Sequence, residues 1–211
     1  DFSLQEPPED RMMRLVAVVG IALALLGACA QPASYSAMVV DPQTLGQAFD
    51  APQGPADSYR DAIVVAPVTG GKQTSPLWTS QVGNAEFQEA LVRSLIATKL
   101  AKADILTNPG TANGRYRLEA TLQNLQQPLI GLDMTVTATI AYKLTEVTTG
   151  TIAYENTLVT PATATFGDAF VAVERLKLAN EKAIRANLTK LIGELYALPD
   201  QPATGGGRRS S

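Results

Sequence analysis

The sequence contains no histidine, and only one of its 211 residues is a cysteine. Those two scarcities remove most zinc sites, which draw on histidine and cysteine clusters, and the Ser-His-Asp and Cys-His arrangements of nucleophilic catalysis. A lone cysteine also forms no internal disulfide, so its thiol needs another explanation. Aromatic residues make up 6% of the chain, with one tryptophan, and charged residues 18%. The formal net charge is −3; residues 1–28 carry four acidic and two basic side chains, so the remainder stands at −1. A near-neutral chain without a clustered basic face offers no footprint for nucleic acid. Apolar residues are plentiful at 45%, enough for one folded core plus less structured ends.

The longest apolar run, Leu15 to Leu26, is preceded by Arg11 and Arg14 and followed by Gly27-Ala28-Cys29. It is too short to span a bilayer comfortably, which takes about 20 residues. Its basic flank, apolar centre and small-residue end are those of a signal peptide. Glu6, Glu9 and Asp10 put acid where such a segment is basic, so Met12 or Met13 is the expected start. Leu26-Gly27-Ala28-Cys29 resembles the lipobox of bacterial lipoproteins. The resemblance implies cleavage after Ala28, diacylglycerol on the Cys29 thiol and an acyl group on its amine. Several acyl chains on one residue anchor stably where a single chain binds only marginally. In that family an Asp after the cysteine retains the protein at the inner membrane; Ala30 stands here, which implies the periplasmic face of the outer membrane.

Four segments are expected: a leader at 1–28, a lipidated flexible tether at 29–60, a folded domain at 61–198 and a disordered tail at 199–211. The tether reading rests on Pro32, Pro42, Pro52 and Pro55 among Ala, Gln, Ser and Gly. Within the domain, Ala62 to Val68 reads as a buried strand whose end Pro67 pushes to a sheet edge or a strand terminus. Asn84 is the expected cap of a helix whose apolar stripe holds Phe87, Leu91 and Leu95, with Lys99 and Lys102 in its last turn. Alternation over Tyr116–Leu122 and over Met134–Leu144 predicts two half-buried strands, and Thr148-Thr149-Gly150 turns the second into a third at Ile152–Leu158. A long helix follows, capped by Asp168, with Ile184, Leu188, Leu191, Leu195 and Leu198 facing the core and a Glu181–Arg185 pair. The expected fold is α+β, a β-α-β-β-β-α domain whose mainly antiparallel sheet carries both helices on one face.

Thr69-Gly70-Gly71-Lys72-Gln73 falls short of a phosphate loop, because Ala66 and Gln73 stand where that pattern needs Gly and Ser/Thr. The same loop offers Lys72, Leu77 and Trp78 as candidate partner-binding residues, the tryptophan as an aromatic anchor. Asp104, Asp133 and Asp168 are the carboxylates available for acid–base work, but no short pattern pairs them, so no catalytic residue is assigned. No metal ligand set and no cofactor other than the Cys29 lipid is expected. The cations Arg175, Lys177, Lys182, Arg185 and Lys190 read as a solvated helix face.

A lipid anchor followed by a β-α-β-β-β-α domain resembles the lipopolysaccharide-assembly lipoproteins, in the order of elements, the strand Met134–Leu144, the Thr149-Gly150 turn and the long final helix. Accessory lipoproteins of lipid-transporting ABC systems, and the small domains of secretion and curli-type pores, look similar at this level. The resemblance implies a non-enzymatic accessory in outer-membrane assembly or lipid transport, partnered by a barrel, a transporter or a lipid. Two alternatives stay open: a subunit of an oligomeric secretion pore built from the Thr-rich hairpin, and a hydrolase.

Overall fold

A computed structural model of the chain describes residues 33–48, 54–71, 82–106, 113–128 and 131–201. Among them are helices α1 (Tyr35–Met38) and α2 (Pro42–Ala48), strand β1 (Ile63–Val65), helix α3 (Asn84–Ala97), strands β2 (Tyr116–Gln126), β3 (Met134–Glu146) and β4 (Ile152–Ala164), and helix α4 (Ala172–Tyr196). The strands form one sheet in the order β1-β2-β3-β4. β1 runs parallel to β2 across the α3 crossover, and the other pairs are antiparallel. The fold is α+β, as the element order and alternation predict.

One-sided burial explains the sheet. Met134, Val136, Ala138, Ile140, Tyr142 and Leu144 of β3 are buried, while the threonines between them face outward. Tyr116, Leu118, Ala120 and Leu122 do the same in β2 until Gln123, where a bulge shifts the register. Phe87, Leu91 and Leu95 of α3 and Ala183, Ile184, Leu188, Leu191 and Leu195 of α4 belong to the same core cluster. The aliphatic face of the β3–β4 hairpin is therefore occupied by α4.

Strand β1 is shorter than the run Ala62–Val68. Pro67 has no N–H to give, and pairing with β2 resumes beyond it through the Thr69 amide and the Ala120 carbonyl (3.1 Å). Gly70 then crosses so close to β2, at φ +95°, that a Cβ there would overlap the Leu122 carbonyl. The Thr69-Gly70-Gly71 run thus serves close backbone approach.

Helix ends depart from the sequence reading. Gly83 precedes α3 as the cap and Asn84 is its first helical residue. The helix stops at Ala97, so Lys99 and Lys102 lie outside its last turn. Lys99 takes φ 61°, its amide bonds Ile96 O, and the Leu100 amide bonds Leu95 O, closing the helix in a Schellman motif with Leu95 and Leu100 buried beneath it. That left-handed position normally favours glycine. Lys99→Gly is expected to raise stability by about 0.5 kcal/mol, read from the urea midpoint at unchanged slope.

The flexible tether expected through Arg60 is not what the described residues form. Ala33, Met38, Val40 and Leu45 are buried, and so is Tyr59, whose ring stacks on Tyr116 at 4.7 Å between centroids. Asp41 accepts the Gln43 amide (2.9 Å) at the start of α2, and Pro42 takes the first helical position, where its missing N–H costs nothing. The start of the expected disordered tail is also held. The Ser58 amide donates to Asp200 (2.9 Å), the Gln201 amide to the Ser58 hydroxyl (3.0 Å) and Arg115 to the Gln201 carbonyl (3.2 Å).

Candidate functional site

The cleavage motif Leu26, Gly27, Ala28 and the candidate lipidated residue Cys29 lie outside the described residues. So do Lys72, Leu77 and Trp78. The structure does show how the chain that follows Cys29 is received. The Ser34 amide donates to the Glu181 carboxylate at 2.7 Å, Arg185 donates to the Ala37 carbonyl, and the Val40 amide donates to the Ser94 hydroxyl at 3.0 Å. Glu181, 4% exposed, is turned to the N-terminal segment, as is Arg185, which replaces the helix-surface pairing expected between them. Both reach a segment almost 150 positions away, a contact that local spacing does not encode.

Chain polarity follows from these bonds. The segment meets Glu181 before Arg185, so it runs in the same direction as α4 and enters from the side of that helix's N-terminus. Only Ala30, Gln31 and Pro32 separate Cys29 from Ala33. Four Cα steps reach at most about 15 Å.

The same end of the sheet carries the β2–β3 and β4–α4 connections, and they brace one another. Asp133 accepts the Phe166 amide (3.1 Å), while Asp168 accepts both the amide and the hydroxyl of Thr165 (2.7 and 3.0 Å) and pairs with Lys182 (3.0 Å). Asp168 therefore closes a turn, and the residue preceding α4 is Val171. Its carboxyl is held below the ordinary 3.8, chiefly by the Thr165 amide and then by Lys182 and the Thr165 hydroxyl. A carboxylate depressed in the folded state adds stability above its unfolded value and loses it as pH falls through the folded one. The difference in melting temperature between the wild type and Asp168→Asn is expected to be steady at neutral pH and to shrink below about pH 4, read from paired melts across that range.

Asp133 and Asp168 are thus brought to one turn, each already accepting hydrogen bonds there. Asp104 lies in the 3-10 turn Ala103–Leu106, beside a crevice of about 10 Å³ that β1 also lines. The β1 end of the sheet pairs, through Tyr116, with Glu146, twelve residues along β3 from Met134 and so about 40 Å away. The three carboxylates do not converge. Among the described residues no group of three or more Asp, Glu, Cys or His is placed to hold a metal ion.

The expected solvated cation face of α4 is mostly engaged with the protein. Arg175 is buried, donating to the Ala169 and Phe170 carbonyls (2.7 and 2.8 Å) with its guanidinium 5.2 Å from the Phe166 ring centroid. Lys177 pairs with Glu174 (3.4 Å), Lys182 with Asp168, and Arg185 with the N-terminal segment.

Two features were not anticipated from the sequence. A crevice of about 100 Å³ opens at the β2 bulge between Gly71, Val82 and Asn124; it is below the size of ordinary small-molecule sites. The other is an apolar tip. Among the described residues, five of the eight large exposed apolar side chains gather here, Leu132, Phe166, Phe170 and Val171 on the two connections and Val173 in the first turn of α4. Phe166 and Phe170 meet edge to face at 5.1 Å. A pair of phenylalanines beside Gly167 and Asp168 reads in sequence as an ordinary loop.

The chain matches no family model and no curated protein. Solved structures with a similar chain path include a Xanthomonas campestris protein of the DUF330 group, at 13% identity over 68% of this chain and 90% of that one, with a TM-score of 0.48. PelC of Paraburkholderia phytofirmans, crystallised as a dodecamer, is 16% identical over 68% of this chain and 93% of its own, TM-score 0.46. A candidate lipoprotein of Caulobacter crescentus is 12% identical over 64% and 87%, TM-score 0.40. Similarities of this size assign no activity to the chain.

Proposed function

We propose that this chain is a lipid-anchored envelope protein that works without catalysis, holding a compact α+β domain at the periplasmic face of the outer membrane. Its role is that of an accessory to envelope assembly or lipid transport, engaging a barrel, a transporter or a lipid. The observation that carries the reading is the position of Leu26-Gly27-Ala28-Cys29, at the end of an apolar run and four residues before the first buried side chain of the domain, Ala33. Lipid on Cys29 explains the single cysteine; among the described residues no helix is long and apolar enough to cross a membrane. The lack of histidine and the dispersal of Asp104, Asp133 and Asp168 support the non-enzymatic part.

The partner-binding part rests on the edge strand β4 and on Lys72, Leu77 and Trp78, as the sequence reads them. Purification of the tagged protein from detergent-solubilised membranes tests it. A barrel or transporter component recovered in stoichiometric amount is the expected result; a strictly monomeric protein that brings down neither counts against it.

A further inference from the structure

We infer that the apolar tip formed by Leu132, Phe166, Phe170, Val171 and Val173 docks into the surface of the bilayer that holds the anchor, so that the domain lies against the membrane in a fixed orientation. The inference rests on the reading of Cys29 as the lipidated residue and goes beyond it. Anchoring alone leaves the domain free to face any direction; docking does not.

Exposure is the first ground. Phe170 is 80% exposed, Leu132 76% and Val171 64%, yet the connections that present them are tied by hydrogen bonds. Asp133 holds the Phe166 amide, Asp168 holds Thr165, and Arg175 holds the Ala169 and Phe170 carbonyls. Ordering large apolar groups in water gains nothing unless something covers them. Arg175 acts here as a positioning residue, since it is buried behind Phe166 and keeps the turn in shape.

Reach is the second ground, and it selects the occupant. The chain is fixed from Ser34 onward at Glu181, nine residues and so about 14 Å along α4 from its first residue, Ala172. The segment enters from that N-terminal side, and the five Cα steps from Ser34 back to Cys29 span at most about 19 Å. A lipid on Cys29 therefore brings the bilayer surface within reach of the tip. The Val147 and Ile152 side chains, also exposed, lie at the far turn, about 40 Å along β3. Anchoring supplies a high effective concentration of membrane, so a contact too weak to bind a free protein is populated in the anchored one.

The lipid consumes the native thiol, which leaves an introduced cysteine as the only site for a fluorophore. Full-length protein carrying Phe170→Cys, Leu132→Cys or Val147→Cys is expressed with its leader in a Gram-negative host, labelled with an environment-sensitive nitrobenzoxadiazole dye and reconstituted into phosphatidylethanolamine/phosphatidylglycerol vesicles. Labels at 170 and 132 are expected to shift blue, brighten severalfold and be quenched by spin-labelled lipid, while the label at 147 stays as in water. Circular dichroism melts confirm that each labelled variant is folded. Anchored protein with 170 and 132 as water-exposed as 147 overturns the docking and leaves the anchor standing. A blue shift without vesicles that grows with protein concentration assigns the tip to a second copy and also overturns it. A Cys29 thiol found unmodified by mass spectrometry removes the anchor, and the docking falls with it.

Discussion

Changing Cys29 to alanine is expected to abolish incorporation of labelled palmitate into the protein completely and to leave the uncleaved precursor. The reason is chemical. The thiol is the only nucleophile of its kind in the chain, so no second residue can take the diacylglycerol in its place. Resemblance to the lipobox adds the order of events: lipid first, cleavage before residue 29 second, acylation of the new amine third. Removing the first step stops the others. The folded domain starts at Ala33, beyond the altered residue, so its melting temperature is expected to be unchanged. A variant that still takes up palmitate would place the lipid elsewhere and undo the assignment.

The second large effect is expected in the core. Asn187 of α4 is fully buried and ties that helix to two strands: it accepts the Tyr142 hydroxyl of β3 (2.9 Å) and donates to the Leu158 carbonyl and the Thr160 hydroxyl of β4 (both 3.0 Å). Thr160 in turn donates to the Ala183 carbonyl of α4 (3.0 Å), closing a network from which water is excluded. Burial, and after it the neighbouring Tyr154, pushes the Tyr142 hydroxyl pKa well up, so it remains a neutral donor. Asn187→Leu leaves the tyrosine hydroxyl without its acceptor in an apolar setting. A loss of about 3 kcal/mol is expected, with a melting temperature lower by about 6–12 °C for a domain of this size. Adding Tyr142→Phe removes the stranded hydroxyl as well and is expected to restore about 1 kcal/mol or more, which thermal and urea unfolding of the single and double variants would measure. Strict additivity of the two losses would mean that the network is not coupled.

Elements with one-sided burial were legible in the sequence. Met134–Leu144 alternates because one face meets α4 and the other meets solvent, and the run Ile184, Leu188, Leu191, Leu195 repeats at helical spacing for the same reason. Local patterns failed where distant contacts decide. Met38 and Val40 sit among Pro, Ser and Gln and read as tether, yet Glu181, Arg185 and Ser94 bind the backbone around them. Asp168 has the chemistry of a cap, but the Thr165 amide and Lys182 claim it before the helix begins. Lys99 looked like a cation opposing a helix dipole and instead occupies the left-handed position of a Schellman turn. The candidate site divided in the same way. Cys29 is proposed from its flanks alone and lies outside the described residues, whereas the tip of Leu132, Phe166 and Phe170 depends on two connections meeting, which no spacing announces.

Ala33 is already buried in the domain, so three residues separate it from Cys29 in place of the roughly thirty of the expected tether. On the proposal that Cys29 is lipidated, the anchor holds the domain close to the membrane. Everything functional proposed for the chain therefore depends on the state of one N-terminal residue. Intact-mass and tandem mass spectrometry of the protein extracted from membranes reads that state directly. The expected species is a polypeptide that begins at Cys29 and carries diacylglycerol on the thiol and an acyl group on the amine. A protein that retains residues before 29, or whose Cys29 thiol is free, would contradict it.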